Sequence, residues 1–118
     1  MIFGIGVDIT EIERVGNIQK RLGFAQKVLT PSELEVWKDM KERRAIEFLA
    51  GRFSAKESYS KAFGTGLGRQ LGFKDIEILD NKVGKPIITK HPFEGSAHVS
   101  LSHTKQVVMT EVILEEID

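Results

Sequence analysis

At 118 residues with no cysteine, the chain is long enough for one domain with a modest core, and it excludes disulfides and thiolate metal sites. Seventeen Lys and Arg side chains balance seventeen Asp and Glu, so the formal net charge of zero lacks the basic excess of a general nucleic-acid binder. No apolar run approaches the roughly 20 residues of a membrane span, and the N-terminus has no basic region leading into a long apolar stretch, so a cytosolic protein without a membrane partner is expected.

Residues 1–118 read as a single α+β domain with no repeat and no dividing linker. A strand over roughly residues 2–8, flanked by small residues, ends on Asp8 and delivers that acid to a sheet edge. A helix over roughly residues 11–22 stops near Gly23. It carries Arg14, Lys20 and Arg21, a local basic excess that contrasts with an acidic tail of Glu115, Glu116 and Asp118. Thr30-Pro31-Ser32-Glu33 is a strong helix start, with Thr as cap, Pro in the first turn and Glu placed to close a capping box. It opens a helix over roughly residues 31–44. A further helix through Arg52, Lys56 and Glu57 runs to Gly64, where Gly64-Thr65-Gly66-Leu67-Gly68 is too flexible for a regular element. The last third reads as strands over roughly residues 74–80, 86–90, 97–102 and 107–115. Turn signals at Asp80-Asn81, Gly84-Lys85-Pro86 and His103-Thr104-Lys105 separate them.

Chemistry concentrates on Asp8 and on the helix ending at Gly64. At about 100° per residue, Phe48, Ala55, Tyr59, Ala62 and Phe63 gather on one side of that helix and Ser54, Glu57, Ser58 and Lys61 on the other. Glu57 and Lys61 are four apart, the spacing of an ordinary surface ion pair. Arg52 and Lys56, inside or beside the apolar stripe, must snorkel, pair or reach an anionic ligand. The glycines after the helix do not form a nucleotide fingerprint, because phosphate-binding glycines precede a helix rather than follow one. In His98-Val99-Ser100-Leu101-Ser102-His103, Val99 and Leu101 point inward; the other face suits solvent, or donation to a phosphate from His103 and Thr104. Two carboxylates and several cations without a histidine cluster suit Mg²⁺ better than Zn²⁺. The residues alone lead to metal-assisted phosphoryl-type transfer.

At Gly6-Val7-Asp8, Phe53-Ser54-Ala55-Lys56-Glu57 with Lys61-Ala62, Gly84-Lys85-Pro86 and Ser100-Leu101-Ser102-His103-Thr104, the chain resembles the small bacterial holo-[acyl-carrier-protein] synthases of the 4'-phosphopantetheinyl transferase superfamily. The resemblance spans nearly the whole chain. It implies an antiparallel sheet of about five strands packed against helices. It also implies transfer of the phosphopantetheine arm of coenzyme A to a serine of apo acyl carrier protein, for fatty acid biosynthesis. Asp8 and Glu57 would hold Mg²⁺, with Glu57 or a metal-bound water as base, and Lys61 would balance charge on the phosphate. The coenzyme site would draw on Arg43, Arg44, Arg52, Lys56, Lys61, Gly64, Thr65, Gly66, His103 and Thr104, and carrier docking on Arg14, Lys20, Arg21 and Phe24. A homotrimer with sites between subunits is implied as well. Where larger members carry Asp-x-Glu, the second acid is replaced by Thr10; the first helix and its turn are also shorter, with Gly23 near a position where relatives carry arginine.

Two other classes remain open at this point. A non-enzymatic module binding an acidic carrier protein would use Arg14, Lys20 and Arg21 without needing Asp8 or Glu57. Another Mg²⁺-dependent nucleotide enzyme would keep the acids and dispense with the basic helix.

Overall fold

A 22-residue helix, α4 (Glu42–Phe63), runs through the middle of the molecule, and the other elements are arranged around it. In this computed structural model, which describes residues 1–117, β1 (Ile2–Glu11), α1 (Ile12–Leu22), the single turn α2 (Ala25–Val28) and α3 (Pro31–Trp37) precede it. A 3₁₀ turn at Phe73–Asp75, then β2 (Glu77–Asp80), β3 (Pro86–Lys90), β4 (Gly95–His103) and β5 (Val107–Glu116) follow. The α+β class and antiparallel pairing agree with the sequence reading. The strands divide into a sheet of order β1-β5-β4 and a separate β2-β3 hairpin rather than one continuous sheet. That division lets the hairpin lay Ile78 and Ile88 on the C-terminal half of α4 while β5 packs Val112 and Leu114 there from another side.

Several boundaries moved for physical reasons. The helix expected to continue to residue 44 ends at Trp37, because the chain turns at Lys38–Lys41 and the Trp37 indole N–H donates to the Ala45 carbonyl at 3.0 Å. No Gly or Pro marks that turn. The Thr30 capping box formed as read, with the Glu33 amide donating to Thr30 Oγ1 at 3.2 Å and the Thr30 amide to Glu33 Oε1 at 2.8 Å. Asp8 lies inside β1 rather than at its end, opposite Thr110. Glu115 and Glu116 belong to β5 rather than to a free tail, and Asp118 lies outside the described residues.

Helix α4 is buried almost all round, its polar Arg52, Ser54, Lys56 and Ser58 included. Strand β1 crosses it closely at Gly4 and Gly6, where a Cβ would come within 2.0 Å of the Ala62 carbonyl oxygen and 1.9 Å of that of Ser58. Every second residue of a strand advances about 6.6 Å and every fourth of a helix about 6 Å, so the two rows stay in step. Gly4 therefore meets Ala62, Gly6 meets Ser58, and Asp8 meets Ser54. The opposite face of the three-stranded sheet has no layer on it: Ile5, Val7, Ile9 and Met109 each keep more than half their surface exposed. Among the described residues no helix is long and apolar enough to cross a membrane.

Candidate active site

Strand β1 brings Asp8 against the middle of α4. Its Oδ2 accepts hydroxyl protons from Thr10 at 2.6 Å and Ser54 at 2.8 Å. The Lys61 ammonium donates to the Val7 carbonyl at 3.0 Å and lies 3.4 Å from Asp8 Oδ1. Lys61 thus pairs with the strand acid and not with Glu57, its neighbour one helical turn back. Glu57 lines the same cleft as Asp8, a cavity of about 270 Å³ that also takes in Arg14, Phe24 and Phe53. Burial and the neighbouring Asp8 charge push the Glu57 carboxyl above the usual range, and Lys61 only partly offsets them.

Two carboxylates forced to share one cleft, with one of them resisting ionisation, are a site whose repulsion a cation relieves. All donors are hard oxygens, the kind Mg²⁺ accepts when substrate phosphates and water complete its shell. The residues fit the metal. No cluster of three or more His, Cys, Asp or Glu side chains suited to a metal occurs among the described residues.

A second cleft of about 430 Å³ lies between α4, β4 and the β2–β3 turn, and it is lined by Arg44, Arg52, Lys85 and His103. Arg52 is largely committed there: its Nη2 donates to Asp80 Oδ1 at 3.1 Å and its Nε to the Ile78 carbonyl at 3.0 Å, while its guanidinium lies 4.3 Å above the Phe48 ring. Arg44 and Lys85 have no acidic partner within salt-bridge distance among the described residues, so they supply the uncommitted positive charge of this cleft. The sequence reading passed over Lys85 as a site residue, having taken Gly84-Lys85-Pro86 as a turn.

The remaining expected residues scatter. Arg43 turns onto Glu47 at 3.1 Å and the Lys105 carbonyl. Gly64 and Gly66 sit in positive-φ turns (φ of 100° and 71°) past the end of α4, with Thr65 between them and exposed, and Thr104 caps the β4–β5 turn by accepting the Gln106 and Val107 amide protons. Arg14 and Phe24 join the Asp8–Glu57 cleft, while Lys20 lies elsewhere, on surfaces near Trp37 and Lys105. Lys56 is a correction. Its ammonium has no exposed surface and donates to Glu33 Oε1 and to the Val28 carbonyl, both at 2.6 Å, so it braces α3 against α4 and does not line a coenzyme site.

Comparison with known proteins identifies the family of this chain. The pattern of the 4'-phosphopantetheinyl transferase superfamily matches residues 4–114. The chain belongs to that superfamily. It is 60% identical over 117 residues to a holo-[acyl-carrier-protein] synthase of Lacticaseibacillus casei, covering 98% of this chain and 94% of that one. Among solved structures it is similar to the holo-(acyl-carrier-protein) synthase of Bacillus anthracis in complex with CoA (3',5'-ADP), with a TM-score of 0.94, 44% identity and 99% of each chain covered. The Helicobacter pylori enzyme in complex with coenzyme A matches at a TM-score of 0.82 and 32% identity, covering 94% of this chain and 99% of that one.

Proposed function

We infer that this protein is a holo-[acyl-carrier-protein] synthase, which moves the 4'-phosphopantetheine of coenzyme A onto a serine of apo acyl carrier protein and releases adenosine 3',5'-bisphosphate. The observation that carries the site assignment is the sharing of one cleft by Asp8 and Glu57, with the Lys61 ammonium 3.4 Å from Asp8 Oδ1. Asp8 and Glu57 would hold Mg²⁺, which when bound supplies positive charge to the coenzyme diphosphate. Glu57, or a water held by the metal, would accept the proton of the carrier serine. Lys61 stabilises the negative charge that grows as the diphosphate bond breaks. Arg44, Lys85 and His103 bind the anionic end of the coenzyme in the second cleft. Arg14 and Phe24, on the rim of the acid pair, present the carrier serine.

The functional assembly is a homotrimer. The uncovered apolar face of β1 and β5 supports this reading, as does the placement of the acid pair and the cationic cleft in separate cavities of one chain. Joining the two across an interface lets a short chain enclose a large substrate. Incubating the protein with coenzyme A, Mg²⁺ and apo carrier protein and weighing the carrier tests the activity. A phosphopantetheine mass gain that disappears in Asp8→Asn and Glu57→Gln is expected; no gain from the parent protein would overturn the assignment.

A further inference from the structure

Asp8 is held from the protein interior as well as from the cleft. Its Oδ2 accepts from Thr10 Oγ1 and Ser54 Oγ, whereas Oδ1 faces the Lys61 ammonium. Behind Ser54, the Thr110 hydroxyl lies 2.9 Å from Ser54 Oγ and 2.6 Å from Ser58 Oγ. Ser54, Ser58 and Thr110 have at most 1% of their surface exposed. Each hydroxyl has one proton to give, and an ionised carboxylate only accepts. Ser54 gives its proton to Asp8, so Thr110 donates to Ser54 and Ser58 donates to Thr110, with the Thr110 carbonyl 3.1 Å away as a second acceptor for Ser58. Every donor in the chain Ser58, Thr110, Ser54 therefore points towards the Asp8 carboxylate, and each bond polarises the next.

We propose that Ser54, Thr110 and Ser58 are positioning residues for the transfer reaction. They commit Oδ2 of Asp8 to the interior and fix the rotamer in which Oδ1 is offered to a divalent cation. Because Ser58 directly follows Glu57 and Thr110 is the β5 partner of Asp8, the same chain also sets the two metal-facing carboxylates in register. The inference rests on the Asp8–Glu57 metal reading.

The test compares Thr110→Val, which keeps the shape and deletes the hydroxyl, with Thr110→Ser, which keeps the hydroxyl and deletes a buried methyl. Binding of Mn²⁺ in the presence of coenzyme A, followed by electron paramagnetic resonance, is the readout independent of turnover. Thr110→Val should weaken Mn²⁺ binding about tenfold, in the range seen when outer-shell partners of ligands are removed. It should raise the Mg²⁺ requirement of the reaction to match, while Thr110→Ser stays near the parent. Ser54→Ala serves as the second variant should Thr110→Val fold poorly, with the same expected weakening. Equal Mn²⁺ affinity in the parent and in Thr110→Val, or equal losses in Thr110→Val and Thr110→Ser, would overturn the positioning role. Weakening by Asp8→Asn with none by Thr110→Val or Ser54→Ala would overturn it while leaving the metal reading intact. Absence of Mn²⁺ binding by the parent would overturn the metal reading, and this inference with it.

Discussion

The Lys56 ammonium lies 2.6 Å from Glu33 Oε1, and neither side chain has any exposed surface. Glu33 uses its other oxygen to accept from the Ile78 amide at 2.7 Å, so this one pair fastens α3, α4 and the β2 hairpin together. Burial draws the Lys56 pKa down and the Glu33 charge acts against that. Lys56→Met should cost roughly 3–5 kcal/mol, because it strands a buried carboxylate. The double variant Lys56→Met/Glu33→Gln should recover part of the loss, since the amide keeps one acceptor and carries no charge. Urea midpoints of the two variants decide it; a single-variant cost below about 1 kcal/mol would mean the Glu33 charge behaves as a solvated one.

Glu57 behaves in the opposite way, as a group whose ionised form folding resists. Its carboxyl is raised by burial and by Asp8, so the folded state disfavours the ionised form. At pH below the ordinary value of 4.5 the group is neutral in both states and contributes no penalty. As pH rises from there through the raised folded value the penalty grows, and above it the penalty is complete. Without metal, Glu57→Gln should therefore be more stable than the parent at pH 7, with the difference shrinking towards pH 4, while transfer activity is lost. Denaturation in a chelator at the two pH values checks the sign, and a variant less stable than the parent at pH 7 would contradict it.

Gly6 sets the distance across which these acids meet. A methyl group there would lie 1.9 Å from the Ser58 carbonyl oxygen, a backbone atom that cannot swing away. Gly6→Ala should thus push β1 off α4, costing about 1–3 kcal/mol or more. Activity should fall further than stability, because Asp8 moves with the strand. Thermal melting together with kcat checks both halves; activity and melting temperature near those of the parent would show that β1 has room to move.

The sequence singled out Asp8 from its short strand, but the i, i+4 spacing of Glu57 and Lys61 alone reads as a surface ion pair, and the structure turns Lys61 to Asp8 instead. The Thr30 capping box was legible because its signal is local. The turn at Lys38–Lys41 was not, because a tertiary hydrogen bond from Trp37 to Ala45 holds the chain there and no turn residue announces it. The same limit applied to Lys56, whose i, i+4 relation to Arg52 says nothing about Glu33, 23 residues away. Ser54 and Ser58 read as one polar face of a helix. Only the antiparallel register of β1 with β5 shows that this face is turned into the protein and closed by Thr110.

The basic first helix splits its duties in the folded protein. Arg14 lies in the cleft of the acid pair, while Lys20 faces other surfaces. Among the described residues neither has an acid within salt-bridge distance, so neither charge is already spent on Glu11 or Glu13. Arg14→Glu should raise KM for the carrier and flatten its salt dependence, with KM for coenzyme A nearly unchanged. Lys20→Glu should do so weakly. Kinetics at low and high salt compare them, and equal effects would mean that long-range charge rather than the cleft rim guides the carrier.

The outer face of the β1-β5-β4 sheet yields the prediction on assembly. Ile9 is 67% exposed and Val7 54%, and in register across from them stand Met109 and Glu111 of β5. Apart from Glu111 these exposed side chains are apolar, and burying them in an interface would gain about 25 cal/mol for each Å² covered. Substituting a residue so exposed should not disturb the fold, because its side chain contributes little to the core. Ile9→Glu should therefore keep its helical circular dichroism and its melting cooperativity while its mass in solution falls from trimer towards monomer. Transfer should fall with it, both because the acid pair and the cationic cleft would no longer be joined across an interface and because Ile9 itself lines the Asp8–Glu57 cleft. Light scattering coupled to size exclusion, read beside the mass gain on the carrier, tests both links. A trimer that survives Ile9→Glu would move the interface off this face, and a fully active monomer would place the whole site within one chain.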